Sequence, residues 1–311
     1  MLTYLESEIE QDDRAAYRPF AARVARIQTL SPSFRRVTFT GLDLHWFATH
    51  AKDQRVKILF PVDGVLSELG EDGDWYGRWR ALPAEQRSPF RTYTVRSVRP
   101  LEREVDIDFV WHGLDEHSGP AARWLADAAA GDPVVVVGPD VRSVHSGIGM
   151  DWRPGAAREV LLAGDETAAP AICGILEALP ASVRAHVVIQ VPTAEDATPT
   201  PASDRITVTW LARDTDPRSL DDAVRAWAAD HRKSYAPALT LGAQELEDID
   251  VDVDLLWDSP ESGQGDFYAW LAGEASVIKG LRRLLVSEIG IDRSRVAFMG
   301  YWRRGKSEAQ G

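Results

Sequence analysis

The chain has one cysteine, five lysines and no apolar run long enough to cross a membrane, and each shortage narrows what it can do. A lone Cys173 cannot form an intramolecular disulfide and fits a reducing compartment. It lies among apolar neighbours of an expected helix, which reads as a small buried hydrophobe rather than a nucleophile. The lysines are Lys52, Lys57, Lys233, Lys279 and Lys306, and the formal net charge is -13. That balance opposes nonspecific nucleic-acid binding, which rewards clustered Lys and Arg, although a local basic pocket stays open. Apolar runs such as 134–137 are far shorter than a bilayer span. The start Met1-Leu2-Thr3-Tyr4-Leu5-Glu6 lacks the basic and apolar regions of a leader, so the expectation is a cytoplasmic protein with no membrane partner. No G-x-S-x-G elbow and no C-x-x-C pair is present, which removes the common serine-hydrolase and zinc-ribbon readings.

What is present suits two globular domains: 311 residues, 44% hydrophobic and 27% charged. Residues before about 17 are acidic and aperiodic, a loose tail or short helix. Stretches 22–30, 34–40, 55–61, 91–98, 105–111 and 133–137 read as strands between Gly, Pro and Asp turns. With one helix over 120–129, they suggest a small closed barrel over 17–142. The insert 62–87, rich in Gly, Asp and Trp, reads as a loop or short helix anchored by Trp75, Tyr76 and Trp79. Residues 143–155 read as a linker. Beyond it, strands at 160–163, 186–191, 206–212, 266–272 and 295–301 alternate with helices at 167–179, 220–230 and 276–289. This predicts an α/β domain over 156–306 with a parallel sheet.

The most informative segment is Arg91-Thr92-Tyr93-Thr94-Val95-Arg96. In an extended chain Arg91, Tyr93 and Val95 share one side and Thr92, Thr94 and Arg96 the other. A phosphate partner, a stacking ring and a hydrogen-bonding hydroxyl then lie close together, as a flavin would need. The strand ending at His112 leads to Gly119-Pro120-Ala121-Ala122, a helix N-terminus suited to a pyrophosphate. Asp115, Glu116, His112 and His117 match no metal-ligand spacing, and no metal is expected. In the second domain, Gly164-Asp165-Glu166-Thr167-Ala168 and Gly273-Glu274-Ala275-Ser276 both run from a strand through Gly into a helix, the place where open sheets bind dinucleotides. Without a G-x-G-x-x-G, Asp165 and Glu166 read equally as first-turn carboxylates that complement the helix dipole.

These segments, together with Asp108-Phe109-Val110-Trp111-His112-Gly113, Arg123-Trp124 and the closing Tyr301-Trp302-Arg303-Arg304-Gly305, resemble the siderophore-interacting protein family of flavin-dependent ferric-siderophore reductases, within the ferredoxin-reductase-like group. The resemblance covers nearly the whole chain. It implies a six-stranded antiparallel FAD-binding barrel followed by a nicotinamide-binding α/β domain. It also implies that Arg91 meets the FAD phosphates, Tyr93 stacks on the isoalloxazine and Thr94 approaches its N5 edge. Two departures from the family pattern are Ala122, where a Ser is usual, and an inserted loop over 114–117. They predict weaker or rearranged FAD contacts.

The activity implied is electron transfer from NAD(P)H through FAD to siderophore-bound ferric iron. An anionic ferric chelate needs positive charge, for which Lys57 and Arg303 are candidates, with Trp302 either near the flavin or closing the sheet. A ferredoxin donor, a flavin reductase with another acceptor (free flavin or a redox protein) and a non-catalytic flavin or siderophore module remain alternatives. Glu195 and Asp196 after the second sheet strand suit a free ribose 2'-hydroxyl and favour NADH, unless Arg205 or Arg213 folds there. Asp248, Asp250 and Asp252 begin like a calcium hand, but Val253 and Ser259 occupy the positions that require Gly and Glu, so a solvated acidic loop is expected.

Overall fold

The computed structural model describes residues 9–48, 52–70, 73–116, 118–201, 203–242, 244–251 and 253–305. His117, Asp252 and Lys306 lie outside the described residues. The chain divides into two compact units between Met150 and Asp151. The first is a closed antiparallel barrel of β1 (Tyr17–Ser31), β2 (Phe34–Thr40), β3 (Arg55–Leu59), β4 (Phe90–Arg99), β5 (Glu104–Val110) and β6 (Pro133–Pro139), ordered β1-β2-β5-β4-β3-β6. β1 is long enough to pair with β6 through Tyr17–Arg23 and with β2 through Arg23–Ser31, with register shifts in the β2-paired part at Val24/Arg26 and Thr29/Ser31. Inward residues Phe20, Val37, Phe39, Ile58, Val95, Ile107, Phe109 and Val136 fill the interior. The insert forms a helix, α1 (Trp75–Ala81). Its Trp75 and Trp79 pack on Phe90, and Trp79 Nε1 donates to the Ser88 carbonyl at 2.9 Å. Tyr76 stacks on Trp79.

Helix α2 (Pro120–Asp127) follows β5. Gly119 is its N-cap and Pro120 stands in its first turn, where a missing N–H costs nothing. Leu125 is buried, and Trp124 lies 5.0 Å from Phe60 and 5.9 Å from Phe109, ring to ring, which fastens the helix to the barrel core.

The second unit is a six-stranded sheet ordered β10-β12-β11-β7-β8-β9. Its strands are β7 (Glu159–Gly164), β8 (Arg184–Val191), β9 (Ile206–Ala212), β10 (Trp257–Asp258), β11 (Phe267–Glu274) and β12 (Val296–Trp302). Five strands are parallel. They form the parallel sheet expected from the sequence, and the two-residue β10 adds an antiparallel edge on β12. The helices are α3 (Ala169–Ala178), α4 (Leu220–Asp230), α5 (Arg232–Tyr235) and α6 (Ala275–Arg282), which continues as a π-helical segment over Arg283–Glu288. The order reverses between β7 and β11: the chain steps outward through β8 and β9, then returns to the other side of β7. Such a reversal leaves a crevice at the strands' carboxyl ends.

Candidate functional site

In the barrel unit, the expected flavin residues Arg91, Tyr93 and Thr94 all lie on β4. Tyr93 and Val95 face the core, with the Tyr93 ring 4.2 Å from that of Phe109 and tilted by 41°. Arg91 reaches the start of α2. A Cβ built on Gly119 would stand 3.7 Å from Arg91 Nη2, so the guanidinium and the helix N-terminus border the same space. No side chain caps this helix. Its first N–H groups therefore add to the positive charge of Arg91, an arrangement suited to a pyrophosphate. Ala121 and Ala122 are half-buried in that first turn, and the absence of a hydroxyl at Ala122 leaves anion binding there to the backbone.

Farther along β4 a register shift lies between Val95 and Ser97, at Arg96, which stands 3.8 Å from Asp108 beside the paired Arg36 contacts at 2.7 and 2.8 Å; Thr94, ahead of the shift, is buried. Arg96 thus belongs to a cross-strand charge cluster and not to the Arg91 space. Lys57 pairs with Thr92 across β3 and β4; its Nζ donates to Thr92 Oγ1 at 2.9 Å and lies 4.7 Å from the Phe90 ring. His112, two residues past the end of β5, is exposed.

In the second unit, one carboxylate joins three of the sequence segments. Asp165 Oδ1 accepts from Thr167 N at 2.9 Å and Thr167 Oγ1 at 2.5 Å. Its Oδ2 accepts from Glu274 N and Trp302 Nε1, both at 2.8 Å. Gly273 is required here: its φ is +152°, and a Cβ would stand 2.6 Å from Asp165 Oδ2. Burial and the Glu166 carboxylate push the Asp165 pKa up, opposed by the donors of Thr167 and Trp302. The Asp165 carbonyl also accepts from Ala168 N and Ala169 N, so α3 begins at Ala169, two residues later than expected.

Both turns expected to receive a pyrophosphate therefore satisfy their own donors. Glu274 caps α6, accepting from Ser276 N and Val277 N at 2.9 and 3.1 Å. Burial of Glu274 favours its neutral form, but these bonds outweigh that and lower its pKa. Trp302 closes the strand ends through Asp165. Arg303 donates to the backbone carbonyls of Val253 and Asp254, which occupies it on the acidic loop. In the same loop, Asp248 pairs with Lys279 at 2.7 Å. No metal-binding cluster of three or more His, Cys, Asp or Glu occurs among the described residues. Cys173 is half-buried in α3 instead of fully buried.

Two features were not anticipated. Glu166, buried beside Asp165, accepts from Arg213 Nη2 at 2.6 Å, a contact across 47 residues that no local pattern announces. Asp196 is fully buried and caps its own turn, accepting from Thr193 N and Thr193 Oγ1 at 3.0 Å. It is not presented to a ribose.

The family description "Siderophore-interacting FAD-binding domain" matches residues 23–143, and "Siderophore-interacting protein" matches residues 157–305. The chain is 28% identical over 285 residues to the ferric vibriobactin reductase ViuB of Vibrio cholerae, covering 91% of this chain and 89% of that protein. Among solved structures it is similar to a siderophore utilization protein from T. fusca, with TM-score 0.67 and 27% identity over 95% of this chain and 96% of that one. It is also similar to the siderophore-interacting protein SipS of Aeromonas hydrophila, with TM-score 0.62 and 26% identity over 93% of each chain.

Proposed function

The chain belongs to the siderophore-interacting protein family, and from that premise we propose that it is a cytoplasmic ferric-siderophore reductase that takes electrons from NADH or NADPH and uses FAD. The observation that carries the reading is the shared space between the Arg91 guanidinium and the uncapped start of α2, continued along β4 by Tyr93 and Thr94. Arg91 and the α2 backbone would hold the FAD pyrophosphate. Tyr93, braced by Phe109, would offer a ring to the isoalloxazine, and Thr94 a hydroxyl. When bound, FAD would convert a two-electron donor into the single-electron steps that ferric iron requires. Lys57 would attract the anionic ferric chelate from the outer face of β3. Ferrous iron, less strongly charged, binds hard oxygen donors more weakly and can leave the siderophore.

FAD titration of the wild type and Arg91→Ala, followed by ferric-siderophore turnover with each donor, tests the reading. The wild type is expected to bind FAD and turn over. Reduction by ferredoxin but by neither nicotinamide would reassign the donor, and FAD binding without any turnover would favour a non-catalytic module.

A further inference from the structure

The nicotinamide reading leaves open which dinucleotide the second unit prefers, and the Glu166–Arg213 pair bears on that choice. β7, β8 and β9 are parallel neighbours, so their carboxyl ends lie along one edge. Glu166 follows the end of β7 and Arg213 the end of β9. Arg213 N donates to the Val191 carbonyl at 2.9 Å, at the end of the intervening strand β8. The Arg213 side chain therefore reaches over the end of β8 to meet Glu166. A dinucleotide seated at the β7/β11 reversal directs its adenosine toward β8 and β9. Asp196, the carboxylate best placed by sequence to read a 2'-hydroxyl, is withdrawn into its own turn.

The Glu166 side chain is only 3% exposed and that of Arg213 is 40% exposed, so the carboxylate anchors a guanidinium whose outer side faces solvent. The fork carries five N–H donors, of which Nη2 is directed at Glu166. Planar, paired donation suits a phosphate. We propose, resting on the nicotinamide reading, that Arg213 reads the 2'-phosphate of NADPH and that Glu166 is its positioning residue, so the donor preference is NADPH over NADH. This reverses the preference drawn from Glu195 and Asp196 in the sequence.

The test is calorimetric binding of 2',5'-ADP and 5'-AMP to the full FAD-loaded chain and to Arg213→Ala, Arg213→Lys and Glu166→Gln, with melting curves for each. The wild type should bind 2',5'-ADP about 10–100-fold more tightly than 5'-AMP, the range of one charge-assisted hydrogen bond. Arg213→Ala should remove that difference by weakening 2',5'-ADP binding. Arg213→Lys, which keeps a cation beside Glu166 and so guards against misfolding, should narrow it, as should Glu166→Gln. Equal binding of the two nucleotides by the wild type, or a preference that survives in folded Arg213→Ala, overturns the assignment. If a folded wild type binds neither and its flavin is reduced by neither NADH nor NADPH, the nicotinamide reading itself fails, and this assignment with it.

Discussion

Replacing Asp165 tests how the second unit holds its strand ends. Its two oxygens accept four donors from three segments: Thr167 N and Oγ1, Glu274 N and Trp302 Nε1. Asp165→Asn exchanges one oxygen for an NH2 that must face donors. The least costly orientation turns the amide toward Thr167, whose hydroxyl can rotate and accept, leaving the Thr167 backbone N–H unsatisfied. One orphaned buried donor costs about 1–3 kcal/mol, and for a unit of this size that lowers the Tm by roughly 3–10 °C. Asp165→Ala orphans three donors even after the hydroxyl adapts, so its loss should be at least twice as large. Scanning calorimetry measures both, and Trp302→Phe completes a double-mutant cycle in which a coupling of about 1 kcal/mol is expected. If Asp165→Asn melts within about 1 °C of the wild type, the carboxylate is not what holds these strands together.

Three further outcomes follow from the same structure. His186 is buried, and burial, with the nearby His231 and Arg184, lowers its pKa from 6.5 to about 4. Below pH 6.5 the unfolded chain binds the proton and the folded chain does not, so stability is full above about pH 6.5 and falls by up to about 3 kcal/mol toward pH 4; urea unfolding against pH should show this slope, and His186→Phe should flatten it. Gly138→Ala would place a Cβ 2.4 Å from Phe47 Cε2, so the barrel should lose about 1–3 kcal/mol through overpacking, measured by denaturant unfolding. Arg91→Ala should weaken FAD binding by about 10–100-fold, the loss of a charge-assisted phosphate contact, read by spectral titration, whereas a flavin held elsewhere would leave the affinity unchanged.

The barrel was legible because β-type runs stand between Gly, Pro and Asp turns, and α2 because Gly119 and Pro120 mark its start. All six barrel strands fall where expected, though β1 begins at Tyr17, several residues early. β10 escaped notice because two residues in an acidic run carry no periodicity. The register shift at Arg96, which stands beside Asp108, is announced by nothing in the local sequence. At the second site the strand-Gly-helix turns were placed correctly, yet their carboxylates turn inward to cap the chain's own N–H groups. The Glu166–Arg213 and Asp165–Trp302 contacts join residues 47 and 137 apart, a separation at which sequence pattern is silent and only the sheet order brings partners together.

The central claim is an electron path that runs through a flavin held at Arg91 and ends on siderophore-bound iron. Its most direct test is the anaerobic visible spectrum of the FAD-loaded protein as NADPH or NADH and then a ferric siderophore are added, with a ferrous-specific chelator to trap the product. The account predicts that the flavin colour bleaches with the nicotinamide and returns with the ferric siderophore as the ferrous complex appears. A flavin that is reduced but not reoxidised by the ferric siderophore, with no ferrous complex formed, would contradict it.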